Sequence, residues 1–222
     1  MANSLYIASI EPRSGKSVVA LGIMEMLSRR VGRMGYFRPV IPTDNKPDNN
    51  IELIRQRYNL NQTYEESFAL THDVAQELFT GDHGQIVMKN IVDKFKQLQT
   101  QSKFILCEGT DFTGVSSAFE FDINSEVAAN LGSPIMLVVN AKGKSPQDIV
   151  EAIHLGIDSY TDKGCTIAAV MVNRVKESET EAIHRAVASA PSIDAQIYLL
   201  TELPILARPT VADIAKALGA EI

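Results

Sequence analysis

Ser9 to Ser17 reads "SIEPRSGKS". An apolar run, Leu5-Tyr6-Ile7-Ala8, leads into it, and a helical pattern from Val18 to Leu27 leads out. Strand, tight loop, Gly-Lys-Ser and helix is the order that a phosphate-binding loop requires, because its backbone N–H groups and a helix N-terminus must face the phosphate oxygens together. In such a loop the lysine reaches the terminal phosphates and the next hydroxyl holds Mg²⁺. Those residues are Lys16 and Ser17, and the backbone from Arg13 through Ser14 to Gly15 forms the cradle. The match is partial. The usual form, G-x-x-x-x-G-K-[ST], wants glycine at position 10, where this chain has Ile10, and a longer variant wants it at position 9, where it has Ser9. Pro12 removes one backbone donor. Glu11 sets a carboxylate near the expected phosphates, either to bind Mg²⁺ or to repel a nucleotide. The plainer reading keeps the loop only as a tight strand-to-helix turn.

Outward from the loop the pattern alternates. Short apolar runs at 4–9, 35–40, 103–107, 134–139, 166–173 and 196–200 read as strands. Consecutive apolar residues mean burial on both faces, as in a parallel sheet. Helical patterns lie at 16–30, 50–58, 84–100, 124–131, 146–160, 177–189 and 210–218, the last opening on a capping-box-like Thr210-Val211-Ala212-Asp213. Strands alternating with helices predict a doubly wound, mostly parallel α/β sheet with helices on both faces. No repeat or long linker divides the chain, so 1–222 reads as one domain. Residues 42–83 are the least regular, an insert expected to form a flap over the C-terminal edge of the sheet.

Ligands bind at that edge in open α/β sheets, and three further strand ends carry polar groups there. Arg38 in "YFRPV" is suited to bidentate binding of a phosphate or carboxylate, or to a surface salt bridge with Asp44 or Asp48. Glu108 in "FILCEGTDF" follows an apolar strand, the layout of an acid that holds Mg²⁺; the alternative is a strand-end turn in which it caps the next helix. Asp48 is a further candidate for the metal. Asn173 in "AAVMVNRV" is placed to pair with a nucleobase edge, or to make an Asx turn.

Bulk properties narrow the class. The chain has 222 residues, 45% of them apolar, enough for a sizeable core. A net charge of −6 argues against nucleic acid as a partner; Arg29, Arg30 and Arg33 sit together at a helix end, where they favour the dipole. No apolar run reaches membrane-spanning length and "MANSLYIASIEP" has no signal-peptide layout, so no membrane is expected. Cys107 and Cys165 read as buried small hydrophobes in a reducing cytoplasm. His72, His83, His154 and His184 lack metal-ligand spacing.

Taken in order, "SIEPRSGKS", "YFRPV", "LCEGTDF" and "MVNRV" resemble the four strand ends of the dethiobiotin synthetase-like family of P-loop proteins, and "ANLGSPIMLVVN" at 129–140 resembles its fourth strand entry. Within the family, "EGTDF", "FRPVI" and the ending "ELPILARPTVADIAKALGAEI" are similar to the N-terminal domain of long-form phosphate acetyltransferases. That branch implies a regulatory or ligand-sensing domain, joined to a C-terminal acetyltransferase domain that converts acetyl-CoA and phosphate to acetyl phosphate and CoA. It implies ATP or another nucleotide with Mg²⁺, or a small-metabolite effector, and a homo-oligomer. The ending at "ALGAEI" is expected to mark a domain boundary. The resemblance leaves two other functions open. One is an ATP- and Mg-dependent carboxylate-activating ligase of the dethiobiotin or cobyrinate-amidating type; the other is a structural oligomerisation module with an empty nucleotide pocket. Ser9 and Ile10 depart from the family loop, and Thr110, Asp111 and Phe112 replace the small residues that admit a dethiobiotin precursor.

Overall fold

The structure, a computed structural model, describes residues 3–43, 46–81, 83–110, 117–191, 193–208, 211, 215, 217, 219 and 220. Seven strands, β1 (Asn3–Ala8), β2 (Met34–Ile41), β3 (Phe68–Thr71), β4 (Phe104–Glu108), β5 (Ile135–Asn140), β6 (Ile167–Val175) and β7 (Gln196–Thr201), form one sheet. Its order is β3-β2-β4-β1-β5-β6-β7 and every pairing is parallel. The helices are α1 (Lys16–Ser28), α2 (Asn49–Arg57), α3 (His72–Thr80), α4 (Gly84–Gln101), α5 (Ser117–Leu131), α6 (Pro146–Thr161) and α7 (Thr180–Ala188). A parallel sheet needs a crossover between successive strands, and the helices supply it on both faces.

The two faces are legible in the alternation along each strand. Ile7, Tyr36, Leu106, Met136 and Val138 point to one side, where Val19, Ala20 and Met24 of α1 and Ile51 and Ile54 of α2 cover them. Tyr6, Phe37, Ile105, Cys107, Leu137 and Val139 point to the other, under Ile91 and Phe95 of α4, Val127 of α5, Ile149 and Ile153 of α6 and Ile183 of α7. Burial on both sides explains the continuous apolar runs.

Residues 42–83 are more regular than the sequence suggests. The segment holds β3 and α3 beyond the helix expected at 50–58, and β3 pairs with β2, in register Arg38↔Phe68, to extend the sheet by a strand. α5 begins seven residues earlier than its periodic part. Arg38 lies inside β2, not at its end. Asp44, Asp111, Phe112 and the Thr210–Asp213 cap, apart from Val211, fall outside the described residues. Among the described residues no helix is long and apolar enough to cross a membrane, both cysteines are free and buried, and no cluster of three or more His, Cys, Asp or Glu is placed to hold a metal.

Candidate functional site

β1 is the switch point of the sheet: β4 lies on one side of it and β5 on the other. Crossovers diverge from there, which leaves a crevice at the C-terminal edge. Residues 9–15 form the loop there and lead straight into α1. Two loop residues are left-handed, Arg13 at φ 54° and Gly15 at φ 90°. Ser9 and Ile10 are not, so the position where the motif wants an opening glycine needs none here. Ser9 instead turns the chain with its own hydroxyl, which accepts from the Glu11 N–H at 3.2 Å, while its carbonyl accepts from the buried Tyr160 hydroxyl at 3.2 Å.

The loop is held from β6, two strands away across β5. Asn173 Nδ2 donates to the Ser14 carbonyl at 2.9 Å, and its Oδ1 accepts from the Arg174 N–H at 2.9 Å. Arg174 takes φ 59° where the β6–β7 register shifts, and its guanidinium donates to the Arg13 carbonyl at 3.0 Å. A Cβ on Gly15 would stand 2.2 Å from Asn173 Nδ2. The glycine is therefore required twice, by its dihedral and by this close approach. Ser14 is buried, and its Oγ has no hydrogen-bond partner among the described residues. Lys16 is 2% exposed.

Glu11 does not stand open to a phosphate. One oxygen accepts from the Asn140 N–H at 2.7 Å, and the other pairs with Lys144 at 2.6 Å. The loop carboxylate thus ties the loop to the end of β5.

On the β4 side, Ser17 Oγ donates to Glu108 Oε1 at 2.9 Å. Glu108 is fully buried as the last residue of β4. The Tyr36 hydroxyl donates to its Oε2 at 2.5 Å, and Arg38 approaches Oε1 at 3.9 Å. Burial first, and then the Glu108 charge, push the Tyr36 phenol well above its ordinary value, so it stays a donor at neutral pH. Arg38, itself buried, forms its close ion pair with Asp48. Asp48 caps α2: its Oδ1 accepts from the N–H groups of Asn50 and Ile51, both at 3.0 Å. Both Asp48 oxygens are therefore engaged. Asn50 closes the group, donating from Nδ2 to Ser17 Oγ at 2.7 Å and to Glu108 Oε1 at 3.1 Å. Lys16, Arg38 and Glu108 are buried and the Asp48 side chain is 6% exposed, so two cations face two anions and balance in formal charge.

Of the residues singled out from sequence, the structure brings Gly15, Lys16, Ser17, Glu108, Arg13, Ser14 and Asn173 together at one loop and the ends of β4 and β6; Arg38 pairs with Asp48 and approaches Glu108. Sequence reasoning missed Tyr36 and Asn50. "PTDNKPDNN" reads as polar loop, and a tyrosine in an apolar strand reads as core. Beside the loop lies a largely apolar cavity of about 460 Å³. Val18 and Met26 of α1, Asn173 and Arg174, and Leu203 and Leu206 beyond β7 line much of it.

A family model described as an AAA domain (AAA_26) matches residues 3–222. The phosphate acetyltransferase of Nitratidesulfovibrio vulgaris is 38% identical over 229 residues, covering 100% of this chain and 32% of that protein. The phosphate acetyltransferase of Synechocystis sp. is 41% identical over 178 residues, covering 79% and 26%. The chain thus spans a third or less of these curated relatives. Among solved structures, a plasmid partition protein of Borrelia burgdorferi bound to AMPPNP has a TM-score of 0.56 at 13% identity, covering 98% of this chain and 97% of that one. A GTPase of Pyrococcus abyssi, in apo form, has a TM-score of 0.57 at 12% identity, covering 97% and 95%. At such identities the likeness is one of fold.

Proposed function

This chain belongs to the AAA_26 family of AAA domains, which are dethiobiotin synthetase-like P-loop domains, and from that premise we propose that it is the nucleotide-sensing, regulatory domain of a phosphate acetyltransferase. The acetyl transfer itself, from acetyl-CoA to phosphate, is assigned to a linked domain. The observation that carries the reading is the intact loop: Gly15 left-handed, Lys16 buried and Asn173 clamping Ser14 from β6. Curated relatives bearing the name phosphate acetyltransferase support the choice of parent reaction.

The loop residues fit an anionic ligand. Ser14 Oγ is a buried hydroxyl without a partner among the described residues, which a phosphate oxygen would satisfy. We assign the backbone of Arg13, Ser14 and Gly15 and the side chain of Lys16 to the phosphates. Asn173 retains a second N–H and a second lone pair beyond its bonds to the Ser14 carbonyl and the Arg174 N–H, for the edge of a base that enters the apolar cavity. Ser17 and Glu108 bring two oxygen donors 2.9 Å apart, the donor chemistry of a hard cation. They would hold Mg²⁺, which when bound neutralises phosphate charge. Arg38 orients Asp48 and Glu108, and Asp48 serves the start of α2 in preference to the ion, since its oxygens are taken. A homo-oligomer in the cytoplasm completes the proposal.

Titration calorimetry of Mg·ATP and Mg·GTP into the wild type and Lys16→Ala tests it. Expected is micromolar binding of at least one nucleotide, weakened at least tenfold in the variant, with no turnover. Absence of binding in the wild type would overturn the sensing role and leave an assembly module. Sustained ATP hydrolysis in the presence of a carboxylate substrate would make the domain a ligase.

A further inference from the structure

Asn50 reaches the Ser17–Glu108 pair from a different element, and its amide does something specific there. Ser17 Oγ, Glu108 Oε1 and Asn50 Nδ2 close a triangle with sides of 2.9, 2.7 and 3.1 Å. The orientation of the amide follows from its neighbour. Only the N–H end can face a carboxylate; the oxygen end would set lone pair against lone pair. Two hydrogens with partial positive charge therefore sit against the same two oxygens that a cation would take.

The amide is not placed there by a loose side chain. Asn50 is the second residue of α2, and the first turn of that helix is fixed from several sides. Asp48 Oδ1 accepts from the Asn50 and Ile51 N–H groups, and Asp48 Oδ2 pairs with the buried Arg38. The Asp48 N–H donates to the Tyr64 hydroxyl at 2.7 Å, and Ile51 is fully buried below. The backbone of Asn50 thus holds its position while its side chain spans the crevice to α1 and β4.

We propose that Asn50 is the gating residue of the divalent-cation site, competing through its side-chain amide with the cation for Ser17 and Glu108. The inference rests on the assignment of those two residues to the metal. Cation entry breaks both Asn50 hydrogen bonds and turns the amide out of the crevice, against a helix start that does not move with it. The gate lowers the affinity of the site for a free cation. It favours loading only when a second group, such as the phosphates of a bound nucleotide, supplies further oxygens. Asn50 is a positioning residue in this scheme: it bonds the two ligand residues and is itself displaced.

The experiment is a titration of Mn²⁺ alone, with no nucleotide, into the wild type, Asn50→Ala and Asn50→Ser, with free Mn²⁺ followed by electron paramagnetic resonance. Serine and asparagine have similar helix propensities, and the serine side chain is too short to span to Glu108, so it guards against a folding defect in the alanine variant. Expected is Mn²⁺ binding about three- to tenfold tighter in both variants, the scale of one or two hydrogen bonds no longer opposing the ion. Unchanged or weaker Mn²⁺ binding in the folded variants overturns the gate, because a residue that supports or ligates the ion would give that result. Failure of nucleotide sensing is read separately, as the absence of heat with Mg·ATP and Mg·GTP in the wild type, and does not alter the Mn²⁺ comparison.

Discussion

Gly15 is where the loop has least freedom to change. An alanine there must hold φ near 90° and place its Cβ 2.2 Å from the Asn173 amide. Gly15→Ala is expected to destabilise the fold by about 1–3 kcal/mol, from backbone strain and the displaced Asn173 bond, and to abolish any nucleotide binding; urea unfolding and calorimetry check the two effects. The residues of the site differ in how far the sequence reveals them. Gly15, Lys16 and Ser17 are contiguous, and Glu108 ends an apolar run, so local pattern was enough to find them. The position of Asn173 was legible but its partners were not, because Ser14 lies 159 residues away. Asn50 and Tyr36 reach Ser17 and Glu108 across separations of 33 and 72 residues. No local pattern encodes such contacts, which arise only when the sheet order sets β2 beside β4.

At the scale of elements, α6 shows how closely a helix can seat on the sheet. Gly156 faces β5, and a Cβ there would lie 2.6 Å from a Leu137 methyl. Gly22, inside α1, has open space at the same position. Gly156→Ala is expected to cost about 1–3 kcal/mol by forcing Leu137 or the helix aside, whereas Gly22→Ala gains up to about 1 kcal/mol of helix propensity; paired thermal melts of the two variants give opposite signs. Five strands were legible because burial on both faces writes continuous apolar runs, and β7, only partly buried at the opposite edge, because Ile197 to Leu200 still form one. β3 was not, since all four of its residues are only partly buried and it sits at the edge of the sheet. α3 was missed for a related reason. Its Val74 is 44% exposed beside the fully buried Ala75, which blurs the apolar stripe that marks a helix.

For the molecule as a whole, three fully buried phenols govern the alkaline limit. Burial, as the largest cause, pushes Tyr6, Tyr36 and Tyr160 above their ordinary value, and the Cys107 thiol likewise. A raised folded pKa favours the folded state fully below the unfolded pKa, and that contribution is lost as pH rises through the folded value. The unfolded chain releases these protons from about 8.5 for the thiol and about 10 for the phenols. Stability is therefore expected to fall steadily above pH 9–10, with tyrosinate absorbance appearing together with loss of circular dichroism. Separate titration of the three phenols in an intact fold would contradict this. The sheet order has a further result, in the time domain. β1 carries the loop, yet its partners begin at Phe104 and Ile135. A ribosome adding about 5–20 residues per second finishes the loop on the order of ten seconds before it has made both neighbouring strands. Among the described strands β1 thus waits longest for its neighbours, and its apolar residues are a stretch that a chaperone has long to meet during synthesis.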